Sequence, residues 1–402
     1  MARFLFVVPP LTGHVNPTVA VGEELIARGH SVAWTGHSEI VAPLLPAWAE
    51  LIPLDHELPV EMVASTREKA MTMRGVAALE FLWRDFLRPL ASAMVPGVDS
   101  AVSKFAPDAL VVDQQAFAGA IVARRYGLPW ATSATTSAEL VDPFRALPKV
   151  GEWVAGQLVE LQIEAGLGTE AATSGGDLRF SEYLTIAFTT SALTGPIVLP
   201  ESSGPVVMVG PSLTPRRQGI DDQPDAELAE FLGSGRCVLV TLGTVNADAG
   251  GRFFSAAVEA AESAADSGSW RAVIVAPREV VEPVAGAVFV APFIPQLQVL
   301  GHVDAVVCHG GHNTVCETLS YGLPLVVAPI RDDQPVIAEQ VESCGAGVRV
   351  RFGRVRGTEL KSAIDSVLDE PRYRNAATAV RSSFAAAGGA AAAARSLEEL
   401  VA

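Results

Sequence analysis

Short apolar runs alternate with longer amphipathic stretches along this chain, regularly enough to assign elements before any single residue is considered. Near the start, RFLFVV reads as a strand, PPLTGHVNP as a loop, TVAVGEELIARG as a helix and SVAWTG as a second strand. The second half opens the same way, with CVLVTLG, the loop TVNADAGG, a helix from Arg252 to Ala265 and the strand RAVIVA. Strand, helix and strand in this order predict parallel sheets covered by helices, so two similar α/β units are expected. Between these openings, PDALVVD, LPWATSA, YLTIAFTT and PVVMVGP predict strands, while FAGAIVARRYG and the stretch around Trp153 to Ala165 predict helices. The Gly/Ser/Thr-rich residues 166–176 predict a mobile surface loop, and the aperiodic, Pro-containing LTPRRQGIDDQPD predicts a linker.

The pattern is densest in chemistry from Phe289 to Gln334. An apolar run (AVVCH), a Gly-Gly turn, a helix opening with Asn313 and Thr314, a second apolar run (LPLVVAP) and the pair Asp333-Gln334 follow one another. This is a right-handed βαβ unit, which puts His309 and Asp333-Gln334 at strand C-termini on one edge, where open parallel sheets bind ligands. Gly310 and Gly311 let backbone pass close to a ligand, and the helix start offers unpaired N–H groups and a positive dipole end, which suit a phosphate. His309 and Thr314 add side-chain donors, and the Glu317 carboxylate can accept from a diol such as ribose. With Asp333-Gln334 available for further hydroxyls, a nucleotide-sugar would use every part of the segment.

The first unit carries a different chemistry. No GxGxxG lies between its first strand and helix, so a dinucleotide cofactor is not supported. The loop carries His14 instead, just before the first helix, with Pro17 suited to a helix N-terminus. A lone loop histidine is ordinarily a capping or core residue. Asp113 changes this, because it ends the run PDALVVD and so projects from the same sheet edge, where it can orient an imidazole as a general base. From His56 to Val98 the pattern is mostly helical, with Met62, Met71, Met73 and Met94 beside Phe81, Trp83 and Phe86. Such side chains line a pocket for a bulky apolar molecule or form ordinary core, and periodicity does not separate the two.

FIPQLQVL, HGGHNT, Glu317, YGLPLVVAP and DDQ together resemble the donor-binding signature of the nucleotide-sugar glycosyltransferases of small molecules, over about 40 residues. That family has the GT-B fold, two Rossmann-like parallel-sheet domains facing across a cleft. The resemblance implies that Phe293 stands where the family often has a base-stacking Trp, keeping a stacking face without the N–H donor. It implies that Gln296 faces the nucleoside and Glu317 the ribose, with Ile294 also among the donor-binding residues. His309, Gly310, Gly311, Asn313 and Thr314 would hold the diphosphate together with Gly243-Thr244, and Asp333 and Gln334 the sugar. GHVNP and the strand-ending Asp113 match the family's catalytic His and its orienting Asp.

Composition narrows the partners. With 45 acidic against 29 basic residues and a formal net charge of -16, nucleic acid and anionic membranes are poor partners. The 402 residues, 49% of them apolar, suffice for two cores, yet no apolar run reaches the length of a membrane span. FLFVVPPL is stopped by Pro9-Pro10 and lacks a cleavage site, so a signal peptide is not expected. Four cysteines without CxxC spacing suggest free thiols in a reducing cytoplasm. The histidines show no metal-ligand spacing, so neither a metal nor another cofactor is expected.

The expected organisation is an acceptor-binding domain with the catalytic His at 1–211, a linker at 212–235, a nucleotide-sugar domain at 236–384 and a C-terminal helix at 385–402. By the resemblance, that helix crosses back to the first domain. The expected reaction is inverting transfer of a sugar, from a uridine diphosphate sugar by preference, to a hydroxyl of a lipophilic small molecule. A thymidine diphosphate deoxysugar is the alternative donor. A nucleotide-sugar epimerase and a non-catalytic auxiliary protein of the same fold are the readings of other classes. No feature of the sequence specifies an oligomeric state.

Overall fold

The computed structural model describes residues 1–54, 69, 73, 75–145, 147–174, 176–213, 224, 226–243 and 250–402. The chain divides into two compact units. One comprises Met1–Ser191, Pro196–Thr214 and Ala387–Ala402, and the other Ala192–Gly195 and Pro215–Ala386.

In the first unit, β1 (Arg3–Val7), β2 (Ser31–Gly36), β3 (Glu50–Pro53), β4 (Ala109–Asp113), β5 (Trp130–Ala134), β6 (Leu184–Ala187) and β7 (Val206–Met208) form one sheet in the order β3-β2-β1-β4-β5-β6-β7. Every pairing is parallel. Both faces are covered, which is why the strands read as nearly continuous apolar runs. Along β1, Phe4 and Phe6, with Val8 just beyond, enter the core on one side of the sheet, and Leu5 and Val7 the core on the other. Burying a side chain such as Phe4 or Phe6 is worth about 1.5–3 kcal/mol. The edge strand β3 was not foreseen, because its four residues ELIP are too short for alternation to show.

The second sheet repeats the plan. It contains β8 (Cys237–Thr241), β9 (Arg271–Val275), β10 (Val288–Ala291), β11 (Ala305–Cys308), β12 (Leu325–Val327) and β13 (Gly347–Arg349), ordered β10-β9-β8-β11-β12-β13. All are again parallel. Counted within its own unit, the second sheet runs 3-2-1-4-5-6, the doubly wound order, and the first runs the same way with a seventh strand added at the far edge. Each therefore has a switch point, between β1 and β4 and between β8 and β11, where the connections leave the C-terminal edge in opposite directions and a crevice opens.

Three expectations need correction. The first helix, α1 (Thr12–Ala27), starts earlier than the sequence suggests. His14 thus lies in its first turn, and Pro17 is inside the helix, where it cannot donate to the Gly13 carbonyl. The loop expected at 166–176 contains a short helix, Thr169–Ser174. The segment after Gly75 is helical, but Leu82–Leu87 is wound as a π-helix, a local widening that apolar spacing does not reveal. Met94 and Trp83 are core residues there, and Phe86 packs partly buried against the same core, whereas Met62 and Met71 lie outside the described residues. So do residues 214–223 and 225 of the expected linker at 212–235, whose later part holds a helix, Ala226–Leu232, of the second unit.

The last helix, Gly389–Leu400, belongs to the first unit and packs on α1. Gly389 N–H donates to the Val209 carbonyl at 2.7 Å. Glu398 accepts from His30 Nε2 at 2.9 Å and from Arg28 at 3.2 Å. Among the described residues, no helix is long and apolar enough to cross a membrane.

Candidate active site

The first sheet's switch point is occupied by His14 and Asp113. One comes from the helix that follows β1, the other from the last position of β4. The helix is pinned to the sheet by Trp34, whose Nε1–H donates to Thr18 Oγ1 at 2.9 Å, while the Thr18 hydroxyl donates to the Val15 carbonyl at 2.7 Å. Gly22 completes the seat, since a Cβ there would collide with the Trp34 ring. His14, Thr18 and Gly22 share one helix face at four-residue spacing. The contacts that seat the helix therefore aim His14 at β4.

His14 Nδ1 lies 2.9 Å from Asp113 Oδ1 and 3.0 Å from Oδ2. The Asp113 side chain is wholly buried and that of His14 is 16% exposed. Gln115 N–H donates to Asp113 Oδ1 at 2.9 Å, and the Thr135 hydroxyl donates to Oδ2 at 2.7 Å. Each carboxylate oxygen thus has a donor besides the imidazole, the condition under which a buried charge is tolerated. Thr135 was missed by the sequence reading. Its signal was weak, a hydroxyl in TSATTS just beyond a strand.

The second site is built around the switch point of the other sheet. His309 follows β11, and helix His312–Ser320 starts three residues later with Gly311 as its N-cap. No side chain caps that helix, so its first N–H groups point outward without an intrahelical acceptor. Gly310 adopts φ +87°, which favours glycine, and a Cβ there would lie 2.9 Å from Val327 and 3.3 Å from the Gln334 carbonyl. Asn313 and Thr314 are half-buried in the first turn.

His309 is packed rather than bonded. Its Nδ1 is buried without a hydrogen-bond partner. A Cβ on Gly243 would lie 2.8 Å from its Cε1, and one on Gly311 only 2.5 Å from its Nε2. Two glycine backbones therefore enclose the ring. Thr244, expected beside Gly243, lies outside the described residues. Burial lowers the His309 pKa to about 4, and the nearby Arg331 charge acts in the same direction. The imidazole is neutral at pH 7, so it can serve an anion as a polar N–H donor and not as a cation.

That depression has a consequence for stability. Between pH 6.5 and 4 the unfolded chain binds a proton at this site that the folded chain refuses. The contribution is complete above about pH 6.5 and lost as pH falls toward 4, on the order of 3 kcal/mol in all. His309→Gln is expected to flatten this part of the profile in urea denaturation from pH 7 to 4. An unchanged slope would refute the assignment.

The remaining predicted residues fall around this turn. Gln296 Nε2 donates a short hydrogen bond to Glu317 Oε2, which orients a carboxylate that is itself buried. Phe293 keeps 48% of its surface exposed, as a stacking face requires, whereas Ile294 is 4% exposed and packed in the core. Ile294 can therefore offer a ligand its backbone only. Gln334 Oε1 is committed to the N–H groups of Ile330 and Arg331, at 2.8 and 3.1 Å, so its donors are what it can present. Asp333 is the N-cap of helix Gln334–Ser343 without capping it through its side chain. Among the described residues, no three His, Cys, Asp or Glu side chains gather as a metal site.

Two doubly wound units of this kind define a GT-B glycosyltransferase architecture. Residues 225–384 match the family described as UDP-glucoronosyl and UDP-glucosyl transferase. The 4'-demethylrebeccamycin synthase of Lentzea aerocolonigenes is 31% identical over 414 residues, covering 96% of each chain. The demethyllactenocin mycarosyltransferase of Streptomyces fradiae is 29% identical, covering all of this chain and 87% of its own. Among solved structures, the calicheamicin glycosyltransferase CalG4 superposes with a TM-score of 0.75 at 23% identity, over 100% of this chain and 98% of its own. The protein belongs to this family of glycosyltransferases.

Proposed function

We propose that the protein transfers a sugar, with inversion, from a nucleoside diphosphate sugar to a hydroxyl of a lipophilic natural product. The observation that carries this reading is the His14–Asp113 pair at the first sheet's switch point. His14 Nε2 takes the proton of the acceptor hydroxyl as that oxygen attacks the anomeric carbon. The bond from that carbon to the phosphate oxygen breaks, and its electron pair leaves with the nucleoside diphosphate. Attack from the side opposite the leaving group inverts the configuration. Asp113 stabilises the imidazolium that forms.

In the second unit, the N–H groups opening helix His312–Ser320 and the neutral His309 receive the departing charge, with Asn313 and Thr314 beside them. No step requires a metal, and transfer is expected to continue in excess chelator. The acceptor class is supported by the relatives, one named as a synthase of 4'-demethylrebeccamycin and the other as a mycarosyltransferase of demethyllactenocin. Free thiols, three of them buried, suit a reducing compartment, so we assign the reaction to the cytoplasm.

We take the donor to be a uridine diphosphate sugar in preference to a thymidine one. Glu317 is held by Gln296 through one oxygen, and a carboxylate has about four lone-pair sites, enough to accept from both ribose hydroxyls as well. A hydrogen bond to a charged group is worth about 1.5–3 kcal/mol, on the order of 10–100-fold in affinity, and deoxyribose forfeits one. Calorimetric titration with the two diphosphates, on wild type and Glu317→Ala, tests the donor. Mass spectrometry of a natural-product panel with UDP-glucose, with and without EDTA, tests the reaction. Tighter thymidine diphosphate binding would overturn the first assignment, and turnover lost to EDTA and restored by Mg²⁺ the second.

A further inference from the structure

We propose that Thr135 is a positioning residue of the His14–Asp113 pair, fixing the imidazole in the tautomer that carries its proton on Nδ1. The inference rests on the reading of His14 as a general base. Thr135 lies one residue beyond β5, and its neighbour-but-one, Ser133, is the register partner of Asp113. Alternation therefore sends Thr135 to the same side of the sheet as Asp113. The residue is 3% exposed. Its Oγ1 lies 2.7 Å from Asp113 Oδ2 and 2.9 Å from His14 Nδ1.

Counting protons decides what these distances mean. The hydroxyl has one proton, and the carboxylate is the stronger acceptor, so that proton goes to Asp113. Oγ1 then turns lone-pair density toward His14. Nδ1 consequently faces three oxygens within 3.0 Å, two of the carboxylate and one of the hydroxyl. All three present lone pairs, and the arrangement is attractive only when Nδ1 carries hydrogen. The lone pair of the ring is thereby assigned to Nε2, the atom a general base must use.

Two effects follow from the hydroxyl. It occupies Oδ2 and so limits rotation of the carboxylate, and it supplies a third acceptor that disfavours the alternative tautomer. A threonine that merely satisfied a buried carboxylate would need the first contact only. The second contact, to Nδ1, is the one that reaches the chemistry.

The test begins with the wild-type protein and requires no substrate. In ¹⁵N-labelled protein at pH 8, with the His14 signal assigned by its loss in His14→Gln, long-range ¹H–¹⁵N spectra report which ring nitrogen is protonated. Protonated Nδ1 is expected, and a protonated Nε2 would overturn the proposal whatever the variants do. Thr135→Val, which keeps the shape and removes the hydroxyl, leaves Asp113 alone to hold Nδ1–H and is expected to raise the Nε2-protonated fraction on the order of tenfold. Thr135→Ser is expected to restore the wild-type ratio. With UDP-glucose and an acceptor found in the panel, Thr135→Val is expected to lower kcat on the order of tenfold, the worth of about one hydrogen bond, and to leave the donor KM unchanged.

A wild-type tautomer ratio in Thr135→Val, or a raised donor KM with kcat intact, would show a structural or ligand-contacting threonine instead. Should Thr135→Val fail to fold, Thr135→Ala carries the same comparison. The general-base reading is judged separately, by His14→Ala. Normal turnover in that variant sinks the base without touching the tautomer result, and an unshifted tautomer in Thr135→Val sinks the positioning role while an inactive His14→Ala keeps the base.

Discussion

His14→Ala is expected to lower sugar transfer by ~10²–10⁴, the usual worth of general-base assistance, and to leave nucleotide affinity unchanged. The separation follows from location. His14 belongs to the first unit, whereas the nucleotide groups Gln296, Glu317 and the Gly310–Gly311 turn belong to the second. Within the first unit the imidazole is held through Nδ1 by Asp113 and Thr135. Asp113→Asn is expected to be damaging but less so. An amide keeps the size of the carboxylate and one acceptor oxygen, yet its NH₂ either faces the Gln115 N–H or makes the Thr135 hydroxyl turn and accept, which redirects that hydroxyl's proton. The imidazolium would also lose its counter-charge. Initial rates by chromatography, beside calorimetry with UDP, measure both effects. Wild-type transfer by His14→Ala would end the proposed mechanism, and a parallel loss of UDP affinity would mean that the substitution disturbs more than the base.

Much of this architecture was legible because buried parallel strands leave a coarse signal. RFLFVV, CVLVTLG and AVVCH are apolar on both faces, and each is followed by a Gly- or Pro-containing loop. The switch-point positions of His14 and His309 then follow from doubly wound topology. What stayed hidden depends on contacts made across the fold. Nothing local says that Thr135 meets a residue more than a hundred positions earlier, or that Arg331 lies near enough to His309 to oppose its protonation. Ile294 shows the converse limit, because a motif assigns a position to a site without saying whether side chain or backbone faces the ligand. The π-helical turn at Leu82–Leu87 and the short edge strand β3 were missed since neither changes the spacing of apolar residues.

The glycines of HGG are a case where sequence and structure give different reasons for the same residue. From the sequence, Gly311 admits a phosphate to the backbone. In the structure it also makes room for the neighbouring ring, and Gly311→Ala separates the two. Gly311 has φ -64° and ψ 134°, backbone that any residue adopts, so alanine brings no conformational penalty. Its Cβ would stand 2.5 Å from His309 Nε2. The ring has little room to retreat, for Gly243 encloses it on another side and Nδ1 is buried. The imidazole must therefore swing away, and the donor it offers a diphosphate goes with it. A hydrogen bond to a charged group is worth about 1.5–3 kcal/mol, so UDP affinity is expected to fall on the order of 10–100-fold. Uridine, which lacks the phosphates, should bind both forms alike. Stability should fall as well, by the 1–3 kcal/mol typical of overpacking. The decisive comparison is a double-mutant cycle with His309→Ala, which removes the ring that alanine would strike. If the crowding account holds, Gly311→Ala costs little further affinity or stability in that background, giving a coupling energy close to the loss in the single variant. Additive losses would instead mean that Gly311 serves the phosphate through its backbone alone, with His309 a bystander.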